Sequence, residues 1–360
     1  MSSDKVTIRK SLLCVVLASA MAAGCGGGGD GGSGNGGHGN VPVDPAPTPG
    51  GSDSGSPAPD PITDLPTSSY TGAVLEMFNT LNASRIAAGV SALRQNVQLD
   101  AAADAHSRYM SANYVLTHYE EPGKPGFTGV TPSDRAAAFG YERVVGELVS
   151  VNYTAEPSNH IKWHLNTVYH LWGALRPTAN EVGFGLTSGT SPAVHHVSSV
   201  SLGTTDARLK PVNVSWVWPV DGATKSPRAF IPATESPNPV SDWAPDSSIR
   251  VGAPIMFCAS AGDYAKLTVT AAKLERVDGE PIPGSIRILH HPDSSVSAEG
   301  MEVYADPIME ANYPSMRSCV FLITRQPLAA ATLYRVSVTA TQAGEDVSRS
   351  WTFETEDQTD

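Results

Sequence analysis

Ten histidines and four cysteines are the residues of this 360-residue chain best suited to hold ions, move protons or cross-link. Two histidine doublets invite a metal reading, His195-His196 and His290-His291. Adjacent side chains of a strand point to opposite faces, so neither doublet readily chelates one ion. Common enzyme signatures are missing: no G-x-S-x-G elbow, H-E-x-x-H helix, P-loop or C-x-x-C pair occurs. Gly32, Gly34 and Gly37 satisfy G-x-G-x-x-G, but they lie in a Gly/Pro/Ser tract with no strand before and no helix after. The nucleotide reading falls with that context.

The other chemistry-bearing residues form an ordered set. Asn82-x-x-Arg85-x-x-x-Gly89-x-x-x-Leu93 is followed by Leu99-x-x-Ala102-Ala103-x-x-His106-Ser107-x-x-Met110. His118, Arg135, Gly140-Tyr141 and Gly146-Glu147 come next, and His170 stands 13 residues before Gly183 in Val182-Gly183-Phe184-Gly185. Over residues 72–202 this set resembles the CAP superfamily (cysteine-rich secretory, antigen 5 and pathogenesis-related proteins), in particular its bacterial secreted branch.

The resemblance implies an α-β-α sandwich of three layers with a cleft of two histidines and two acids. His118 matches the first cleft histidine, Glu147 the acid of the Gly-Glu-Asn motif, and His170 the second histidine. The chain departs from the pattern at Leu148, which stands in place of Asn. It departs again in His164-Leu165-Asn166-Thr167-Val168-Tyr169-His170-Leu171, which lacks the usual Trp, Ser-Pro and Arg. Thr167 stands where some relatives carry the second acid. Two neutral imidazoles and a carboxylate suit a divalent ion such as zinc, with one position left open. The same trio could move protons, because histidine titrates near neutrality.

Each residue has a structural alternative. His106, mid-helix, reads as a satisfied structural histidine rather than a ligand. His118 and His170 either line a cleft or complete a hydrogen-bond network. Glu147 either serves the cleft or pairs, because a buried acid is costly without partners. Arg85 and Arg135 read as structural ion pairs.

Helices must position this set. Val74, Leu75, Phe78, Leu81 and Ile86 recur at helical spacing up to Gly89, a C-cap signal. A second helix is predicted over 98–113, a short third from Pro132 to Gly140, and a fourth from Pro157 through Ile161, Leu165 and Val168. Residues 181–187, 194–202 and 212–218 read as strands. Helices followed by strands predict an α+β domain over 70–210. From Pro211 the pattern is β throughout. Tyr334, Val336, Val338 and Ala340 alternate with polar residues, and Trp351 and Phe353 alternate back. This predicts a small antiparallel sandwich over 211–360, which resembles bacterial immunoglobulin-like (Ig-like) modules.

The N-terminus reads as an export signal. Lys5, Arg9 and Lys10 precede an apolar run from Leu12 to Met21, too short for a membrane span. Met21-Ala22-Ala23-Gly24-Cys25 resembles a bacterial lipobox, which implies residues 1–24 as signal peptide and Cys25 as the lipidated N-terminus. Gly26 after the cysteine resembles the outer-membrane sorting pattern of Gram-negative lipoproteins. Residues 26–69 hold 13 Gly, 8 Pro and 6 Ser among 44, with no Lys or Arg, a composition that predicts a disordered leash.

The mature chain would carry 21 basic against 35 acidic residues, a formal −14, with no basic stripe for nucleic acid. Its membrane contact would be the lipid anchor. Cys14 in the signal and Cys25 under lipid leave Cys258 and Cys319. In an exported chain these most simply form one disulfide, the alternative being two free buried thiols.

Three functions fit this reading. The first is a lipid-anchored binding module at the cell surface or outer membrane. By resemblance its ligand is a lipid, a sterol or a cell-envelope component. The second is a metal-dependent hydrolase or protease using His118, Glu147 and His170, with zinc as cofactor. The third is adhesion through the Ig-like module.

Overall fold

A computed structural model describes residues 60–152, 156–189, 196–204, 214–260 and 265–357. The signal, Cys25, His195 and the 210/211 boundary fall outside these residues. The linker expectation ran to residue 69, but residues 60–69 belong to the folded body. The Ile62 N–H donates to Ser91 Oγ at 2.9 Å, the Ile62 carbonyl accepts from the Ala92 N–H at 2.9 Å, and the Ser69 N–H donates to Gln95 Oε1 at 2.8 Å. Composition missed this because the segment is held by its polar groups rather than by an apolar face.

The elements follow the sequence closely at first. Helix α1 (Gly72–Ala88) ends at Gly89, whose φ of 80° is the left-handed cap. A two-residue strand β1 (Arg94–Gln95) precedes α2 (Val97–Asn113), whose N-terminal N–H groups of Gln98 and Leu99 are accepted by the Asn96 side chain. Helix α3 (Pro132–Ala138) starts in a capping box between Thr131 and Asp134. Strand β2 (Val145–Asn152) comes next. The single helix expected from Pro157 through Val168 is two, α4 (Ser158–His164) and α5 (Tyr169–Leu175), and the turn between them bonds to a distant carboxylate described below. Strands β3 (Glu181–Ser188) and β4 (His196–Gly203) complete this part.

The sheet runs β1-β3-β4-β2, so β2 is an edge. Alternation places Val145 and Val149 against α2 and α3, and Leu148 against α1, α4 and α5. Helices thus cover both faces, the three layers that the resemblance implied. Helix α2 lies so close to β3 that a Cβ on Gly183 would stand 2.1 Å from Leu99 C, and one on Gly185 2.1 Å from Ala103 O. Those two glycines exist to admit the helix.

The C-terminal part is an all-β sandwich. Its five-stranded sheet orders Glu302–Ala305, Ile286–His290, Cys319–Thr324, Ile255–Ala259 and Ser215–Trp218. The facing six-stranded sheet is built around Leu267–Arg276, Leu333–Gln342 and Arg349–Thr355. The sandwich is not purely antiparallel: Ser295–Val296, Glu302–Ala305 and Ala223–Ser226 pair in parallel with their neighbours. These short strands return through connections longer than a hairpin, and a parallel partner needs such a crossover.

All residues of Ile255–Ala259 and Cys319–Thr324 are buried. One face of their sheet (Phe257, Val320, Leu322) packs on the six-stranded sheet. The other (Met256, Cys258, Phe321, Ile323) joins the cluster of α1, α4 and α5. Cys258 and Cys319 are register partners and form the disulfide, with Cα atoms 4.1 Å apart.

Candidate functional site

Past the β2 edge, the loop after α2, helix α3 and helix α5 enclose a cavity of about 350 Å³. His118, Glu147 and His170, the predicted trio, all line it. They enter from different layers: Glu147 points to the α2 and α3 side, whereas His170 rides on α5 beyond the opposite face. The walls between them are largely apolar, with Val144, Val145, Leu148, Trp172, Leu202 and Tyr313.

Glu147 is buried and heavily bonded. Its Oε1 accepts from Arg135 Nη2 at 2.7 Å and from Ser199 Oγ at 3.0 Å. Its Oε2 accepts from His118 Nδ1 at 3.1 Å and lies 3.6 Å from His106 Nε2. Burial alone would raise its pKa, but the charges of His106 and Arg135 and the bond from His118 outweigh it and hold the carboxyl well below the usual range. A carboxylate only accepts, so Nδ1 of His118 is the donor, and in the neutral ring Nε2 keeps a lone pair.

His106 is structural, as its sequence position suggested. Nδ1 bonds Glu120 Oε1 at 2.9 Å and Nε2 bonds the Thr117 carbonyl at 2.8 Å. Glu120, which the sequence reading passed over, also accepts from the Thr128 N–H at 2.6 Å and lies 3.9 Å from Arg135 Nε. Its position two residues after His118 was the available signal. Arg135 is the predicted ion-pairing residue. Arg85 instead shows bonds to carbonyls, donating to Ser91 O at 2.8 Å and Ala174 O at 2.6 Å.

His170 Nδ1 lies 2.9 Å from Oε1 of Glu235, a buried acid 65 positions on that local pattern could not flag. Thr167 donates its hydroxyl to the His164 carbonyl at 3.0 Å and lies 3.3 Å from His170 Nδ1. Beneath His170 sits His164, fully buried, its ring 5.2 Å from that of His170. Neither nitrogen of His164 has a hydrogen-bond partner among the described residues. Burial, then the neighbouring His170, pushes its pKa well below the ordinary histidine value. His160, one turn earlier, bonds Ser150 Oγ at 2.8 Å, and burial lowers its pKa to about 4.

The donor set does not fit a resident metal. Both oxygens of Glu147 are engaged, which leaves the trio only the Nε2 atoms of His118 and His170 as donors, fewer than the three protein ligands a zinc site takes. No group of three or more His, Cys, Asp and Glu side chains is placed to hold one ion among the described residues. The zinc expectation for His118, Glu147 and His170 finds no support in this donor set, because Arg135 occupies the electrostatic position a cation would take. The doublet His290-His291 is also spent locally: His290 Nδ1 bonds the His291 carbonyl at 2.8 Å, and His291 Nδ1 accepts from the Asp293 N–H at 3.0 Å.

Residues 78–199 match the family model of the cysteine-rich secretory protein family, CAP. No curated protein matches the chain. Among solved structures, an outer surface protein of Borrelia burgdorferi is similar at 13% identity and a TM-score of 0.32, over 37% of this chain and 93% of its own. An extracellular protein containing an SCP domain from Bacillus anthracis strain Ames is similar at 18% identity and a TM-score of 0.31, over 36% of this chain and 40% of its own.

Proposed function

We propose that this chain, whose residues 78–199 match the family model of the cysteine-rich secretory protein family, is an exported binding module. Its cleft would take an apolar molecule carrying a hydroxyl group. The observation that carries this reading is the cavity of about 350 Å³ at the β2 edge, within the size range of small-molecule pockets and walled mainly by apolar side chains. His118 gives the cavity a polar end. With Nδ1–H committed to Glu147, its Nε2 accepts a hydrogen bond, and a ligand hydroxyl supplies one. A free carboxylate would meet no such donor on His118, and the ionised Glu147 behind it disfavours a second anion. A long-chain alcohol or a sterol fits both the walls and the head.

The lipobox-like ending at Cys25 and the Gly/Pro/Ser leash support an anchored, extracytoplasmic protein at the outer membrane or cell surface. No helix among the described residues is long and apolar enough to cross a membrane. Acyl chains on Cys25 would supply the attachment.

Native mass spectrometry of the full chain purified from membranes tests both parts. We expect acyl mass on Cys25 and a retained or added fatty alcohol or sterol. Val144→Trp should displace that ligand without unfolding, since Val144 is 44% exposed at the mouth of the cavity. A mature chain without acyl mass removes the anchor. A chain that never holds an apolar molecule, at any added concentration of alcohol or sterol, removes the ligand.

A further inference from the structure

Glu235 lies outside the segment that matches the CAP family, in the first turns of the C-terminal part, yet it is 2% exposed and packed against α5. Its Oε2 accepts from the Val168 N–H at 2.8 Å. Its Oε1 accepts from the Tyr169 N–H at 2.7 Å, the His170 N–H at 3.1 Å and His170 Nδ1 at 2.9 Å. A short 3₁₀ turn, Pro232–Thr234, delivers it, closed by the Glu235 N–H on the Pro232 carbonyl at 3.0 Å. The neighbouring Ser236 lines the same cavity. So does Tyr313, stacked on Tyr169 at 5.1 Å between ring centroids, while the Tyr169 hydroxyl donates to Asp306 at 2.8 Å.

We propose that Glu235 is a positioning residue of the cleft: it locks His170 with the proton on Nδ1, so that the C-terminal module completes a site the CAP domain leaves unfinished. Three backbone N–H groups hold the carboxylate, and its Oε1 also faces the ring. A carboxylate only accepts, so Nδ1 is the donor, and in the neutral ring Nε2 keeps its lone pair. His170 thereby matches His118, which Glu147 holds in the same way from the other layer. The cavity would then carry two oriented acceptors rather than one, and a ligand hydroxyl has a choice of partner. The affinity consequence rests on the binding reading above, whereas the state of the His170 ring does not.

Proton NMR of the ¹⁵N-histidine-labelled full chain decides the ring state. In the wild type, His170 should show a downfield, slowly exchanging proton on Nδ1. Glu235→Gln should keep it at some cost in stability, because an amide oxygen at the Oε1 position still accepts from Tyr169, His170 and the ring, whereas the amide NH2 meets the Val168 N–H. Glu235→Ala should lose it to exchange with water. A fluorescent long-chain alcohol, titrated in parallel, should bind about tenfold more weakly to Glu235→Ala and nearly normally to Glu235→Gln.

Two results overturn the proposal: a wild-type His170 protonated on Nε2, or an Nδ1 proton that persists in Glu235→Ala. If Glu235→Ala does not fold, the wild type and Glu235→Gln still decide, since absence of the Nδ1 proton from either contradicts the assignment. A wild type that ignores the alcohol yet shows the Nδ1 proton rejects the ligand and leaves Glu235 in its role.

Discussion

Glu147 is an expensive residue to bury, and its surroundings explain how the fold tolerates it. Arg135 and His106 approach it from one side and Glu120 balances them, so four ionisable groups share a buried pocket. Removing one member of such a set leaves an uncompensated charge, which costs more than the set contributes. The arrangement also bears on metal binding, because a cation entering at Glu147 would have to displace the Arg135 guanidinium at 2.7 Å. Calorimetric titration of zinc into the full chain should therefore show no micromolar site. Micromolar binding abolished by both His118→Ala and His170→Ala would reverse that view. The trio His118, Glu147 and His170 was legible through the resemblance to the CAP family, and the structure places all three on one cavity. Its orienting partners were not. Glu235 belongs to a segment with no helical or strand period of its own, and only the folded chain brings it to His170.

The elements show the same division. Helices α1 and α2 were readable from their apolar stripes, and α1 also from its stop at Gly89, whereas the Asn96 cap of α2 came with the structure. Strand β2 escaped notice because both of its faces are covered and Glu147 interrupts the apolar pattern. The break between α4 and α5 had no local signal either, since Glu235 bonds the first N–H groups of α5 from outside. Helix α4 carries a share of the acid sensitivity of the fold, beside His290 and His291, whose pKa values burial also lowers. His160 and His164 are neutral and buried, facing His196, His170 and each other, with folded pKa values below the 6.5 of an exposed ring. Below pH 6.5 the unfolded chain binds protons that these rings do not, so stability falls with pH, for His160 over the range from 6.5 to about 4. His160 alone should remove about 2 kcal/mol between pH 7 and 5. Glu147 and Glu120, whose pKa values are lowered, add their loss only below the ordinary 4.5. Urea midpoints at the two pH values check this, and equal midpoints would mean that the two rings are not buried neutral.

At the scale of the molecule, the five-stranded sheet is the piece that both halves need. Its outer face completes the sandwich core, with Phe257, Val320 and Leu322, and its inner face supplies Met256, Phe321 and Ile323 to the core of α1, α4 and α5. Strands covered on both sides carry continuous apolar runs, which is why Cys319–Thr324 reads without alternation. The disulfide lies on the inner face, closing a separation of 61 residues. On the chain-entropy model such a closure is worth about 4 kcal/mol. With a shared core of this kind, the described body should unfold in one calorimetric transition rather than two. The double substitution Cys258→Ala and Cys319→Ala should lower that single transition as a whole, by about 4 kcal/mol. Two transitions, of which only the later-sequence half responds to the cysteines, would mean that the halves touch without sharing a core. The cleft would then lose Glu235 and Tyr313 whenever the sandwich opened. A single transition ties the orientation of His170 to the folding of the entire chain, and the cleft then exists only when both halves do.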